Sequence, residues 1–239
     1  PMKKRILSIL LLCCMVLTLL PTTVLAADGP MDTIPKYDVS IDVYNRTSDI
    51  SIKDSRSYYI YSSVPDKLRD TWAWDKKIFI KGDKAAPHVF IDGVNIKMSP
   101  SSKGPAIELN KKASAYLYFI GKDSTLQGAD GRAAIQKNRS EGQLYVLART
   151  GTTVTCKGGY RAAGIGGSWA IRNIGDSMFN MDMYGHGVNM HFGSQSNPDY
   201  WGGTINATGG EYGAGIGAGS WGHSGYSGNA IHGGAGERL

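Results

Sequence analysis

The chain has 239 residues, 26 Lys and Arg against 20 Asp and Glu for a net charge of +6, 32 glycines and three cysteines. That length allows one domain with a sizeable core, and three cysteines exclude both a disulfide-stapled scaffold and a Cys/His zinc spacing. The positive balance is a weak argument for nucleic acid, because Lys3, Lys4 and Arg5 stand in an amino-terminal leader and 23 cations against 20 acids remain beyond it.

The leader comes first. Met2-Lys-Lys-Arg5 precedes an apolar run from Ile6 to Leu20, then Pro21-Thr-Thr-Val-Leu-Ala-Ala27. A basic start, a short apolar stretch and small residues at Val24 and Ala26 are the features of a secretory signal peptide cleaved after Ala26 or Ala27. The alternative, a membrane anchor, needs about 20 apolar residues. Cys13 and Cys14 leave with the leader, so only Cys156 remains and no internal disulfide can form. A chain so poor in cysteine fits bacterial export to the medium or the cell surface better than eukaryotic secretion, which makes the sequons at Asn45, Asn138 and Asn206 chance matches. The expected organisation is a signal peptide at 1–27, a linker at 28–37 and one domain over 38–239.

Short apolar segments then return at a near-constant interval. Ile52, Ile80, Ile107, Ile135 and Ile165 close segments spaced 28, 27, 28 and 30 residues apart, and Ile216 follows 51 residues later. That last interval is read as two short turns or one turn with an insertion. Ile96, Leu126 and Val154 form a second track, and "HVFI" (88–91), "YLYFI" (116–120) and "QLYVLA" (143–148) form a third. Each period holds about three segments of alternating apolar and polar residues bounded by Gly, Asp, Asn or Lys, which is strand-and-turn chemistry. Val64–Trp72 reads as an inserted loop with a helical turn or two. No other stretch of the domain sustains a helical period. The predicted fold is all-β, a right-handed parallel β-helix of at least six turns, with three strands per turn of about 28 residues and inward residues stacked in columns. An antiparallel sandwich would not hold this register.

In the second half the glycines crowd. Thr153-Val-Thr-Cys-Lys-Gly-Gly159 aligns at an offset of 51 with Thr204-Ile-Asn-Ala-Thr-Gly-Gly210, and both lead into "AGIG". Residues 168–200 are less regular, though "MFNMDMYG" and "GVNMHFG" alternate like rung strands. A phosphate loop needs a helix after its glycines, and neither copy is followed by one or contains Gly-Lys-Ser/Thr. A nucleotide site is therefore not expected. In a solenoid, small residues let a corner pack tightly while Ile165 and Ile216 fill the interior.

The segments "TVTCKGGYRAAGIGGS" and "GTINATGGEYGAGIGAGS" resemble the Thr-Ala-Thr-Gly-Gly…Gly-Ala-Gly-Ile-Gly-Gly-Gly repeats of secreted and surface proteins of gut Firmicutes, and the likeness spans roughly residues 38–236. The resemblance implies a right-handed β-helix of the kind described as carbohydrate-binding, with a polysaccharide or surface glycan as partner. It carries no catalytic set. Ser168 and Ala218 stand where the repeat expects Gly, and 168–200 departs from it.

Three functional classes follow: a non-catalytic glycan-binding module, a structural adhesin stalk, and a pectin-type lyase or hydrolase. The last would need clustered carboxylates. Asp123, Asp130, Asp176, Asp182 and Asp199 are dispersed, and Arg132 and Arg161, each shortly before its column isoleucine, are expected on neighbouring turns. Turn aspartates ordinarily cap turns. No metal cofactor is called for, although calcium on turn carboxylates and carbonyls stays open. Of the five histidines, His186 and His191 lie five apart and on opposite faces of an unbroken strand. The aromatics carry the binding expectation. Trp169 and Trp221 follow equivalent "AGIG" segments, with Tyr200, Trp201, Tyr212 and Arg161 nearby. Stacked along one edge they would form a sugar platform; otherwise they cover the edges of the helix. Tyr58, Tyr59, Tyr61, Trp72 and Trp74 form a second cluster. The chain ends in "IHGGAGERL" with no polar cap, which is read as a truncated solenoid.

Overall fold

The computed structural model describes residues 35–99, 102, 104–110, 112–137, 141–172, 187–194, 199–223 and 232–233. The signal segment, Asn138, Asp176, Asp182, His186 and the "MFNMDMYG" stretch lie outside the described residues.

Three parallel sheets wrap one interior. The first sheet stacks Val39–Asp42, Ser57–Tyr61, His88–Asp92, Ala115–Ile120, Leu144–Ala148 and Met190–Phe192. The second stacks Ile50–Ile52, Ile78–Lys81, Ile107–Asn110, Ile135–Lys137, Ile165–Gly166 and Ile216–Gly217. The third stacks Asn95–Lys97, Ser124–Gln127, Thr153–Lys157 and Thr204–Thr208. The chain visits the second, first and third sheets in that order and returns, so every strand pairs with its equivalents in the turns before and after. This is the expected parallel β-helix, consistent with right-handed crossovers. Among the described residues four turns carry a strand on all three faces, fewer than the six expected. In the turn before them the third face is marked only by the bridge between Trp74 and Ile96.

The isoleucine column is two columns. Ile50, Ile78, Ile107, Ile135, Ile165 and Ile216 pair in register, with successive separations of 28, 29, 28, 30 and 51. Ile52 and Ile80 belong to a neighbouring column that continues into Leu109 and Lys137. Both columns face inward because side chains of one strand face repeats every second residue. The sequence track that ran from Ile80 to Ile107 therefore stepped between columns. The third sheet shows the same two-residue slip, since Leu126 pairs with Cys156 rather than Val154. The 51-residue interval is a single turn, because Ile165 pairs directly with Ile216. Sixteen of its 21 extra residues fall between Gly166 and Met190, where the preceding turn needs only the link from Lys137 to Leu144, and the other five fall between Phe192 and Thr204.

The core is almost wholly apolar, with Ile78, Ile107, Leu117, Leu126 and Ile135 fully buried. Each such side chain contributes about 1.5–3 kcal/mol relative to exposure. Lys137 breaks the pattern. It occupies an inward position, is 2% exposed, and donates from Nζ to the Glu141 carbonyl oxygen at 2.7 Å. Burial pulls its pKa down to about 8, against the opposing pull of the Glu141 carboxylate. The predicted helical turn in the Val64–Trp72 loop is a 3-10 turn at Asp66–Leu68.

The glycines serve the stacking of turns. Gly128, Gly158 and Gly209 occupy one corner in three successive turns, where a Cβ would run into carbonyl oxygens four to five residues along: Arg132 and Ala133, Ala162 and Ala163, Gly213 and Ala214. The corner folds back too tightly for any side chain, which is why Gly-rich sequence recurs there without a helix to follow.

Candidate functional site

Aromatic residues gather in two places, and their geometries differ. On the outer face of the first sheet, His88, Tyr116, Tyr145 and His191 pair in register and stack ring on ring. Their centroids lie 4.6, 4.5 and 4.5 Å apart at interplanar angles of 4°, 5° and 15°. The spacing is close to the 4.7–4.9 Å between neighbouring strands, so the ring planes are stacked along the solenoid axis and cover one another's faces. Only edges and polar tips remain outward. Desolvation lowers the pKa of His88, whose Nδ1 lies 3.0 Å from the Tyr118 hydroxyl. His191 Nε2 lies 2.7 Å from Gln143 Oε1. Beside this ladder, Tyr59, Phe90 and Ile120 form a buried strip packed by Tyr61, Tyr118 and Trp201. Tyr59 donates to Asp92 Oδ2 at 2.8 Å, and burial raises its pKa.

Trp201 belongs to that strip, and Tyr200 stands beside it. Their rings meet edge-on at 4.6 Å, Trp201 lies 5.2 Å from Tyr118, and Arg149 stands over Tyr200 at 5.5 Å. Backbone bonds from Thr150 N–H to the Tyr200 carbonyl and from Gly203 N–H to the Ala148 carbonyl pin the segment against the rod. The structure places Trp201 as a cover over apolar side chains, with Tyr200 edge-on to it. Of the second sequence cluster, Tyr58 and Trp74 point into the core, and Trp74 Nε1 donates to the Arg46 carbonyl at 2.8 Å.

The other aromatic group stands at the corner between the third and second sheets. Register makes Gly131, Arg161 and Tyr212 successive members of one column, all three in the left-handed backbone region with φ of 74°, 61° and 65°. A left-handed conformation costs a non-glycine residue about 1–2 kcal/mol. Gly131 has no side chain, and Trp169 lies over it, close enough that a Cβ would meet Trp169 Cε3 at 3.3 Å. Trp169 is held there by its backbone N–H, which donates to the Gly131 carbonyl at 2.9 Å. The Arg161 guanidinium carbon is 4.8 Å from the Tyr160 ring centre, 5.0 Å from Trp169 and 6.0 Å from Tyr212, within the range of cation–π attraction. Tyr160 is 40% exposed and Tyr212 54%. A hydrogen bond to the Glu211 carboxylate, more than burial, raises the Tyr212 pKa.

Of the residues singled out in the sequence, the structure thus joins Arg161, Trp169 and Tyr212, adds Tyr160, and sets Tyr200 and Trp201 in a different group. Trp221 is not the equivalent of Trp169: it pairs with Ala170, because "GIGAGSW" carries one residue more than "GIGGSW". Arg132 is not the equivalent of Arg161 either, since the register that pairs Ile135 with Ile165 sets Gly131 there. Among the described residues no three of His, Cys, Asp and Glu come together as metal ligands would. The turn carboxylates have local duties: Asp123 Oδ1 accepts from the Thr153 N–H at 2.7 Å and Asp92 Oδ1 from the Lys122 N–H at 2.8 Å.

No protein-family model, curated protein or solved structure matches this chain.

Proposed function

We propose that the chain is a non-catalytic glycan-binding module, exported to the medium or the cell surface, which takes its ligand at the corner formed by Tyr160, Arg161, Trp169 and Tyr212. One observation carries the reading. Sugars pack their apolar C–H faces on open aromatic faces and direct hydroxyls to nearby polar groups, and Tyr160 and Tyr212 are exposed rings that flank a guanidinium. The ladder on the first sheet has more rings, but they have spent their faces on each other. The likeness to the surface repeats of gut Firmicutes supports the same reading, as do the basic, apolar and small-residue segments of the leader.

Affinity electrophoresis through gels containing individual polysaccharides tests it. Native protein is retarded by at least one polymer, and the Tyr160→Ala/Tyr212→Ala variant loses that retardation while keeping its melting temperature. Tyr145→Ala, in the ladder, keeps it. Retardation that survives the double substitution would remove the corner as the site. The second reading is a stalk that spaces another domain, favoured by the many rings consumed in lateral packing; it predicts no retardation in any gel.

A further inference from the structure

We infer that the Arg161 corner selects carbohydrates that carry a carboxylate, as uronic acids do. The inference rests on the glycan reading above and narrows it to a chemical class. Arg161 Nε and Trp169 Nε1 are both shielded from water and have no acceptor. Leaving a buried donor unpaired costs about 1–3 kcal/mol, and here two such donors belong to side chains in contact. Among the described residues no acid pairs with Arg161; the ion pairs join other groups, such as Lys77 with Glu108 at 2.6 Å. Glu211, whose backbone carbonyl accepts from the Arg161 N–H at 3.0 Å in the adjoining turn, has its carboxylate engaged by the Tyr212 hydroxyl.

A ligand carboxylate supplies what is missing. Its two oxygens match the fork of Nε and one terminal nitrogen of a guanidinium, a bidentate pair stronger than neutral hydrogen bonds, and a lone pair remains for an indole N–H. Tyr160 and Tyr212 are exposed rings beside the guanidinium, and on this proposal the ligand reaches the Nε edge by displacing one of them. Backbone conformation fits a site that was placed at a cost: Gly131 fills the column without strain one turn earlier, whereas Arg161 adopts φ of 61° to bring its guanidinium there. Two acids oppose an anion. Asp130 and Glu211 hold the register of Tyr160 in the turns before and after it, so neutralising Glu211 strengthens binding of a charged sugar.

The test measures binding of polygalacturonate, alginate and hyaluronan, each paired with its carboxyl-reduced, neutral form, by titration calorimetry on the full chain. At least one uronate polymer binds the native protein tenfold or more tightly than its reduced form. Arg161→Gln abolishes that preference, Arg161→Lys keeps only part of it, and Glu211→Gln increases it about threefold. Equal binding of charged and reduced forms, or a preference that persists in Arg161→Gln, overturns the carboxylate inference and leaves a neutral-glycan module standing. Absence of binding to any charged or reduced polymer overturns the inference and the glycan reading together. Circular dichroism and melting curves of each variant separate lost binding from lost folding.

Discussion

Along the first sheet, four rings from four turns lie face to face, each 4.5 or 4.6 Å from the next, while at the corner after the third sheet Tyr160 and Tyr212 keep large parts of their residues in solvent beside one guanidinium. The backbone explains the contrast. A strand position repeated in register at the interstrand spacing forces like side chains into a stack, so an aromatic residue on a sheet face gains stability and forfeits its recognition surface. A corner breaks the alternation: Gly131 and Arg161 hold the column positions before Tyr212, and Tyr160 meets Trp169 edge-on, so these rings do not build a face-to-face ladder. Aromatic count alone would select the ladder, whose ring faces cover one another. Whether a ring face is free is the deciding quantity.

The largest expected effect tests the corner's backbone. Gly158→Ala places a Cβ against the carbonyls of Ala162 and Ala163 and is expected to cost about 3 kcal/mol, the upper part of the range for overpacking, measured as a lower midpoint in urea. An unchanged midpoint would mean that the corner has slack and that its glycines answer to something other than turn packing. Next comes the ladder. Tyr116→Ala removes two stacked neighbours, His88 and Tyr145, and is expected to cost about 1–3 kcal/mol at 0.5–1.5 per aromatic pair, with glycan retention intact. Loss of retention at native stability would reverse the assignment of the two regions.

Tyr212→Gly sharpens the comparison from the other side. The left-handed strain is relieved, so stability holds or rises by about 1 kcal/mol, while binding falls at least tenfold; a variant that binds normally would show Tyr212 to be ornament to the corner. The smallest effect is a pH dependence confined to the ladder. Burial keeps the His88 pKa below its usual value, so the folded state resists the proton that the unfolded chain accepts near pH 6.5. Stability therefore declines as pH falls from 7 through 6.5 toward the lower folded value. His88→Phe, which retains a ring between Ser57 and Tyr116, flattens that slope in thermal melts, and Tyr212→Gly leaves it unchanged.

Much of this was legible before any coordinates. The period of about 28 residues, three segments per turn and the absence of helical patterning follow from where Ile, Val, Leu, Gly and Asp recur, because a solenoid writes its geometry into the sequence one turn at a time. The column register was legible only to within two residues: Ile50 and Ile52 are both inward, so alternation cannot tell which of them continues to Ile107. Of the site, Arg161, Trp169 and Tyr212 were visible through their place around "AGIG". Tyr160 was missed although it adjoins Arg161, and the signal that would have found it is the alignment of Asp130, Tyr160 and Glu211 once Ile135 and Ile165 are matched. The positional equivalence of Trp221 to Trp169 was misjudged because a one-residue difference in a glycine-rich segment is easily overlooked and shifts the residues after it.

The sequence by itself determined that the chain coils, where the turns recur and which residues line the interior, since these depend on local periodicity and on apolar burial. Tertiary structure decided which rings are spent and which are free, that Trp201 covers an apolar strip while Trp169 lies over Gly131, and that the Arg161 guanidinium sits among three rings with its Nε unanswered. Those outcomes hinge on contacts between turns, Trp169 with Gly131 at 38 positions, Arg161 with Tyr212 at 51 and Trp201 with Tyr118 at 83, where a shift of one residue in register changes the partner and no local pattern records it.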